Sequence, residues 1–166
     1  MGSMLLPYRA KALFVALALG LAVPAPASAD SVQSVLAGIN SVRAKAGCGP
    51  LKLNKQLMAT AESHARNMAE DDFFGHRDKS GKGFPARVRA QGYPLSLAAE
   101  NIAAGQKTPE KAVQAWLDSP SHRKNVMNCK FRETGIAMVY QADDKPLKGQ
   151  SMGLRYYWVQ VFGVQR

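Results

Sequence analysis

Histidine and glutamate side chains in three short islands carry most of this sequence's capacity for chemistry. The first, FFGH, ends at His76; the second, AENIAAG, holds Glu100; the third, SPSHRKN, holds His122. An imidazole titrates near neutrality and serves as a general base or a metal ligand. A carboxylate among small apolar residues, as at Glu100, must be solvated, paired or shifted in pKa, or else it accepts from backbone amides as a structural cap. Each residue also has an ordinary reading: His76 as a loop histidine, Glu100 as a backbone acceptor, His122 as part of a helix cap. Brought together, two histidines and a carboxylate suit zinc or another divalent cation, with water completing the shell. The third histidine, His64, stands three residues after Ala61 and four before Met68, on the apolar face of its helix, and reads as a core or edge residue.

Standard catalytic arrangements are missing: there is no His-Glu-x-x-His motif, no Gly-x-Ser-x-Gly elbow, no phosphate loop and no dinucleotide fingerprint. Two hydrolytic alternatives stay open. One is a metal-dependent hydrolase of peptide or cell-wall material, with Glu100 as base and the histidines holding zinc. The other is a small cationic muramidase, which needs a second carboxylate about 5 to 9 Å from Glu100, a place for which Asp118 is the candidate.

The elements that must position these islands are legible in part. Val32, Val35, Leu36, Ile39 and Val42 recur at helical spacing up to Gly47. A second helix is expected from Asn54 as N-cap, with Leu57, Met58, Ala61, Ala65 and Met68 on one side. FPARVRAQG reads as a short helix with Pro85 in its first turn, and TPEKAVQAWLDSP as another, capped by Thr108 and closed by Pro120. His122 then opens a short helix after SPS. TGIAMVYQ and RYYWVQVFGV are β-branched and aromatic, so they read as strands joined by a long polar loop. Helices in the first two thirds and strands in the last predict an α+β domain with helices packed on an antiparallel sheet.

Residues 1–29 have the form of an export signal, with Arg9 and Lys11 before an apolar run and ASA at its end. The rest, 30–166, suffices for one compact domain with a single core. It holds 20 Lys and Arg against 12 Asp and Glu, a net charge of +8. That charge favours anionic lipid or acidic glycan as partner and export argues against nucleic acid, while the scattered placement of the basic residues reads more readily as a soluble cationic surface than as a dedicated binding patch. Cys48 and Cys129, bound for an oxidising secreted or periplasmic compartment and lacking any Cys-x-x-Cys neighbour, are expected to pair as a disulfide.

Taken in order, SHARNMAEDDFFGH, ENIAAG, AVQAWLDSPSHRKNVMN, ETGIAMVY and YYWVQVFG resemble the CAP superfamily of cysteine-rich secretory proteins, antigen 5 and pathogenesis-related proteins, in its bacterial SCP-like branch. The resemblance covers nearly all of residues 32–164. It implies a three-layer α-β-α sandwich with a central antiparallel sheet and a shallow cleft holding two histidines and two acids. His76 matches the first histidine, Glu100 the first acid and His122 the second histidine. The second acid falls three residues after Trp116, where this chain has Ser119; Asp118 is adjacent but projects about 100° away on a helix. Ala99 replaces the glycine usual before the acid. Together the resemblance, the missing nucleophile motif and the charge predict an exported, monomeric, non-enzymatic module that needs no cofactor and binds a hydrophobic small ligand or an envelope surface. Its cleft is lined by His76, Glu100, His122, Ser119 and Asp118, with a divalent metal on His76, His122 and Glu100 as the accompanying expectation.

Overall fold

A computed structural model describes Met1, Ala25–Pro26 and residues 29–166. The expected export signal lies almost wholly outside the described residues. In chain order the elements are β1 (Ala25–Pro26), α1 (Ala29–Lys45), β2 (Lys52–Leu53), α2 (Lys55–Glu70), α3 (Phe84–Ala90), β3 (Leu95–Ala104), α4 (Pro109–Asp118), α5 (Pro120–Val126), β4 (Glu133–Tyr140) and β5 (Tyr156–Gln165).

The three long strands form an antiparallel sheet in the order β4-β5-β3, so β3 is an edge. β1 and β2 each add two residues to the outer side of β4, β1 antiparallel and β2 parallel. Alternation along β5 explains the layers. Tyr157, Val159 and Val161 face α2 and α3, together with Leu57, Ala61, Ala65, Met68 and Val88. Trp158 and Phe162 face the other way, against Val35, Ile39, Val113, Trp116 and Val126 of α1, α4 and α5. The sheet is thus covered on both faces, giving the α-β-α sandwich. Instead of one core there are two apolar clusters, because a sheet whose strands are buried on both sides separates them.

β3 was not expected as a strand. Its sequence, LSLAAENIAA, is poor in the β-branched and aromatic residues that mark strands. Pairing with β5 over Leu95–Ala104 decides its conformation, with Glu100 opposite Val161 and Asn101 opposite Gln160. Small side chains let the flanking helices approach this edge.

Elsewhere the expected caps are present. Asn54 accepts from the backbone of Gln56 and Leu57, and Thr108 from Lys111. Gly135 on β4 lies so close to α2 that an added Cβ would stand 2.0 Å from Leu57 backbone atoms. Cys48 and Cys129 are joined across 81 residues, tying the end of α1 to the segment after α5. Arg43, fully buried, reinforces that junction by donating to the carbonyls of Gly49, Val126, Asn128 and Phe131.

Candidate functional site

His76 reaches the site through the way α2 ends. Phe73 N–H donates to Met68 O while Asp72 takes a left-handed conformation with φ 49°, the geometry of a Schellman stop. Asp and Asn tolerate that conformation better than most residues, which gives Asp72 a structural purpose. The chain then reverses, Phe73 packs back on the core, and FFGH is carried towards the edge strand.

There His76 Nδ1 lies 2.9 Å from Glu100 Oε1, and Arg87 Nη2 donates to Glu100 Oε2 at 2.8 Å. The Glu100 side chain is fully buried, that of Arg87 nearly so, and that of His76 about half exposed at 47%. Arg87 also donates to the carbonyls of His76 and Lys82, so a single guanidinium fixes both the acid and the loop that carries the histidine. With the carboxylate accepting, Nδ1 of His76 donates, and in the neutral ring this leaves Nε2 as the acceptor.

His64 lies beneath. Its Nε2–H donates to Gly75 O at 2.9 Å and is 3.9 Å from Glu100 Oε1. Burial, opposed by Glu100 and abetted by Arg87, pushes its pKa down, so the ring is held neutral. The reading of His64 as a core residue holds, and it also braces the floor of the site.

His122 arrives from the opposite layer. Asn101, fully buried on β3, donates to His122 O at 3.2 Å. Asn125 of α5 donates to Asn101 Oδ1 at 2.8 Å and to Glu100 O. These amides fasten α5 to the open side of the edge strand, setting the His76 and His122 rings 6.4 Å apart and inclined by 60°. Burial, then proximity to His76, lowers the His122 pKa and favours its neutral form. The three islands therefore meet around β3: Glu100 at the centre, one histidine from each helical layer.

Ser119 and Asp118 stand differently. Ser119 joins α4 to α5, and its hydroxyl pairs with that of Ser121 at 3.2 Å. The exposed Asp118 carboxylate accepts from Gln114 at 2.7 Å. Among the described residues neither side chain hydrogen-bonds to His76, Glu100 or His122. Nor do those three form a three-ligand metal centre as they stand: no group of three or more His, Cys, Asp or Glu among the described residues is placed to hold an ion. Each oxygen of Glu100 already accepts one hydrogen bond, Oε1 from His76 and Oε2 from Arg87.

This arrangement has relatives. A match to CAP, the cysteine-rich secretory protein family, spans residues 36–162, three quarters of the chain and every residue of the site. The chain belongs to the CAP family. It is 34% identical over 117 residues to YkwD, an uncharacterized protein of Bacillus subtilis (strain 168), covering 69% of this chain and 45% of that one. With YlbC, an uncharacterized membrane protein of the same strain, it shares 28% identity over 108 residues, 65% of this chain and 31% of the relative. It thus spans about a half and a third of the curated relatives it matches.

The CAP fold is shared with solved structures. An outer surface protein of Borrelia burgdorferi superposes with a TM-score of 0.74 at 20% identity, over 86% of this chain and 99% of that one. An extracellular SCP-domain protein of Bacillus anthracis gives 0.67 at 23% identity, over 82% and 41%. No helix among the described residues of this CAP domain is long and apolar enough to cross a membrane.

Arg87, Asn101 and Asn125 are site residues that sequence reasoning passes over. Arg87 sits inside the helical pattern FPARVRA, where a buried arginine cannot be told from an exposed one. Asn101 follows Glu100 on a strand whose alternation is hidden by its alanines.

Proposed function

We propose that this CAP domain is an exported binding module whose cleft holds a ligand without transforming it. The commitment of Glu100 carries this reading: a fully buried side chain with one oxygen on His76 and the other on Arg87 serves to aim an imidazole. A general base needs an oxygen within reach of the proton it removes. The site then offers the His76 and His122 rings to a ligand between α5 and the FFGH loop. The +8 charge of residues 30–166 and the export-signal form of residues 1–29 support a role in the cell envelope or outside it.

The test sets turnover against retention. Wild type and a His76→Ala, His122→Ala variant are incubated with peptide and peptidoglycan substrates, with and without zinc, and both are extracted with organic solvent for mass spectrometry. The expected result is no turnover above the variant and a hydrophobic compound recovered from wild type alone. Turnover that Glu100→Gln abolishes would overturn the reading.

A second reading draws on the same hydrogen bond. A histidine whose Nδ1–H is held by a carboxylate presents Nε2 in the manner of metal ligands with an oriented second shell. Calorimetric zinc titration of wild type and of the double-histidine variant tests whether the pair suffices. Stoichiometric binding lost in the variant supports the metal, and equal heats dismiss it.

A further inference from the structure

An open groove among the described residues lies away from the histidines. It encloses about 540 Å³ and is bounded by Gly105 and Lys107 after β3 and by Gly149–Tyr156 at the end of the β4–β5 loop. Gly105 lies five residues beyond Glu100, about 16 Å along the strand at ~3.3 Å per residue.

We propose that this groove and the β4–β5 loop form the surface on which the domain docks to an anionic lipid membrane. The proposal rests on the reading of the domain as a binding module and adds where the envelope contact lies. Two observations carry it. The first is Met152, 76% exposed, a large apolar side chain on the groove wall that no element among the described residues covers. The loop does not hold it out by slackness. Buried Asp144 accepts from Arg155 N–H at 2.7 Å and from Tyr157 O–H at 3.0 Å. Gly153 packs so tightly on Asp144 that a Cβ would stand 2.1 Å from its carbonyl oxygen.

The second observation is charge. Lys107 and Arg155 line the groove, and Lys145 and Lys148 are exposed on the same loop. Among the described residues none of the four is in an ion pair. Asp144 is consumed by the loop's own anchor, which leaves Asp143 as the one exposed acid of the segment. Cations beside an exposed apolar side chain match a bilayer surface, which offers anionic headgroups and hydrocarbon together. A soluble anion satisfies only the first and gains nothing from Met152.

The test is co-sedimentation of the domain with vesicles of equal parts phosphatidylcholine and phosphatidylglycerol, and with phosphatidylcholine alone. Wild type is expected to bind the anionic vesicles, more weakly as salt rises. At roughly fivefold per lysine, Lys107→Ser, Lys145→Ser, Lys148→Ser together should weaken binding about a hundredfold. Met152→Ser should weaken it severalfold, including at high salt. A charge-matched control, Lys52→Ser, Lys55→Ser, Lys130→Ser, removes three cations near the other end of β4 and should stay within a few fold of wild type.

Equal losses in the two triple variants would overturn the proposal in favour of attraction by net charge alone. So would full displacement by millimolar inorganic phosphate, which would mark a soluble-anion site, or absence of vesicle binding under all conditions. Loss in the His76→Ala, His122→Ala variant with retention in the loop variant would move the contact to the cleft. None of these outcomes depends on the turnover assay, so the two readings fail separately.

Discussion

Replacing Arg87 by methionine removes the cation while keeping much of the aliphatic volume, and so tests how Glu100 is held. Arg87 Nη2 lies 2.8 Å from Glu100 Oε2, with side-chain exposures of 8% and 0%. Removing one partner of a buried pair costs about 3 to 5 kcal/mol, because the other charge stays behind uncompensated. The two carbonyls that Arg87 also serves, of His76 and Lys82, are only part-buried and regain water, so they add little. A loss of about 4 kcal/mol is therefore expected, a large share of the ~5 to 15 kcal/mol available to a typical domain. In urea unfolding with the disulfide intact, a slope near 2 kcal/mol/M turns this into a midpoint about 2 M lower. Adding Glu100→Gln removes the stranded charge and should recover more than half of the loss. An Arg87→Met midpoint within about 0.5 M of wild type, or a double variant as weak as the sum of the singles, would refute the claim that this pair holds the site.

Three further outcomes are expected from the packing. Gly135→Ala pushes a methyl into the Leu57 and Met58 backbone and should cost more than about 3 kcal/mol or abolish folding, read by circular dichroism and urea midpoint. Cys48→Ser with Cys129→Ser opens a loop of 81 residues and should cost about 4 kcal/mol on the chain-entropy estimate, seen as a lower midpoint that reductant no longer shifts. Burial depresses the folded-state pKa of His64 and His122, so below their unfolded value of about 6.5 the unfolded chain binds more protons. Stability should then fall as pH drops from about 7 to 5, and His64→Gln should flatten that slope in urea midpoints measured across the range.

Much of the fold is legible because its signals are local. Asn54 and Thr108 are caps with side-chain oxygens in the right place, and the aromatic strands β4 and β5 declare themselves by composition. β3 escapes because its alanines owe their conformation to β5 and to the helices above and below. The site shows the same division. His76, Glu100 and His122 stand out by type and by their resemblance to a family pattern, and the structure brings them together. Arg87 and the Asn101–Asn125 pair do not stand out, since their role depends on long-range packing: Arg87 against a carboxylate thirteen residues on, Asn125 across 24 residues. The sequence likewise shows Glu100 without the guanidinium that pairs with it.

In this account the three islands meet around β3, where Glu100 holds and aims His76. Long-range proton–nitrogen NMR of histidine-labelled protein tests it most directly. The account predicts a His76 ring protonated at Nδ1 with Nε2 bare, losing that tautomer preference in Glu100→Gln and shifting in His122→Ala. A His76 ring that mixes tautomers like a free imidazole and ignores both substitutions would contradict it.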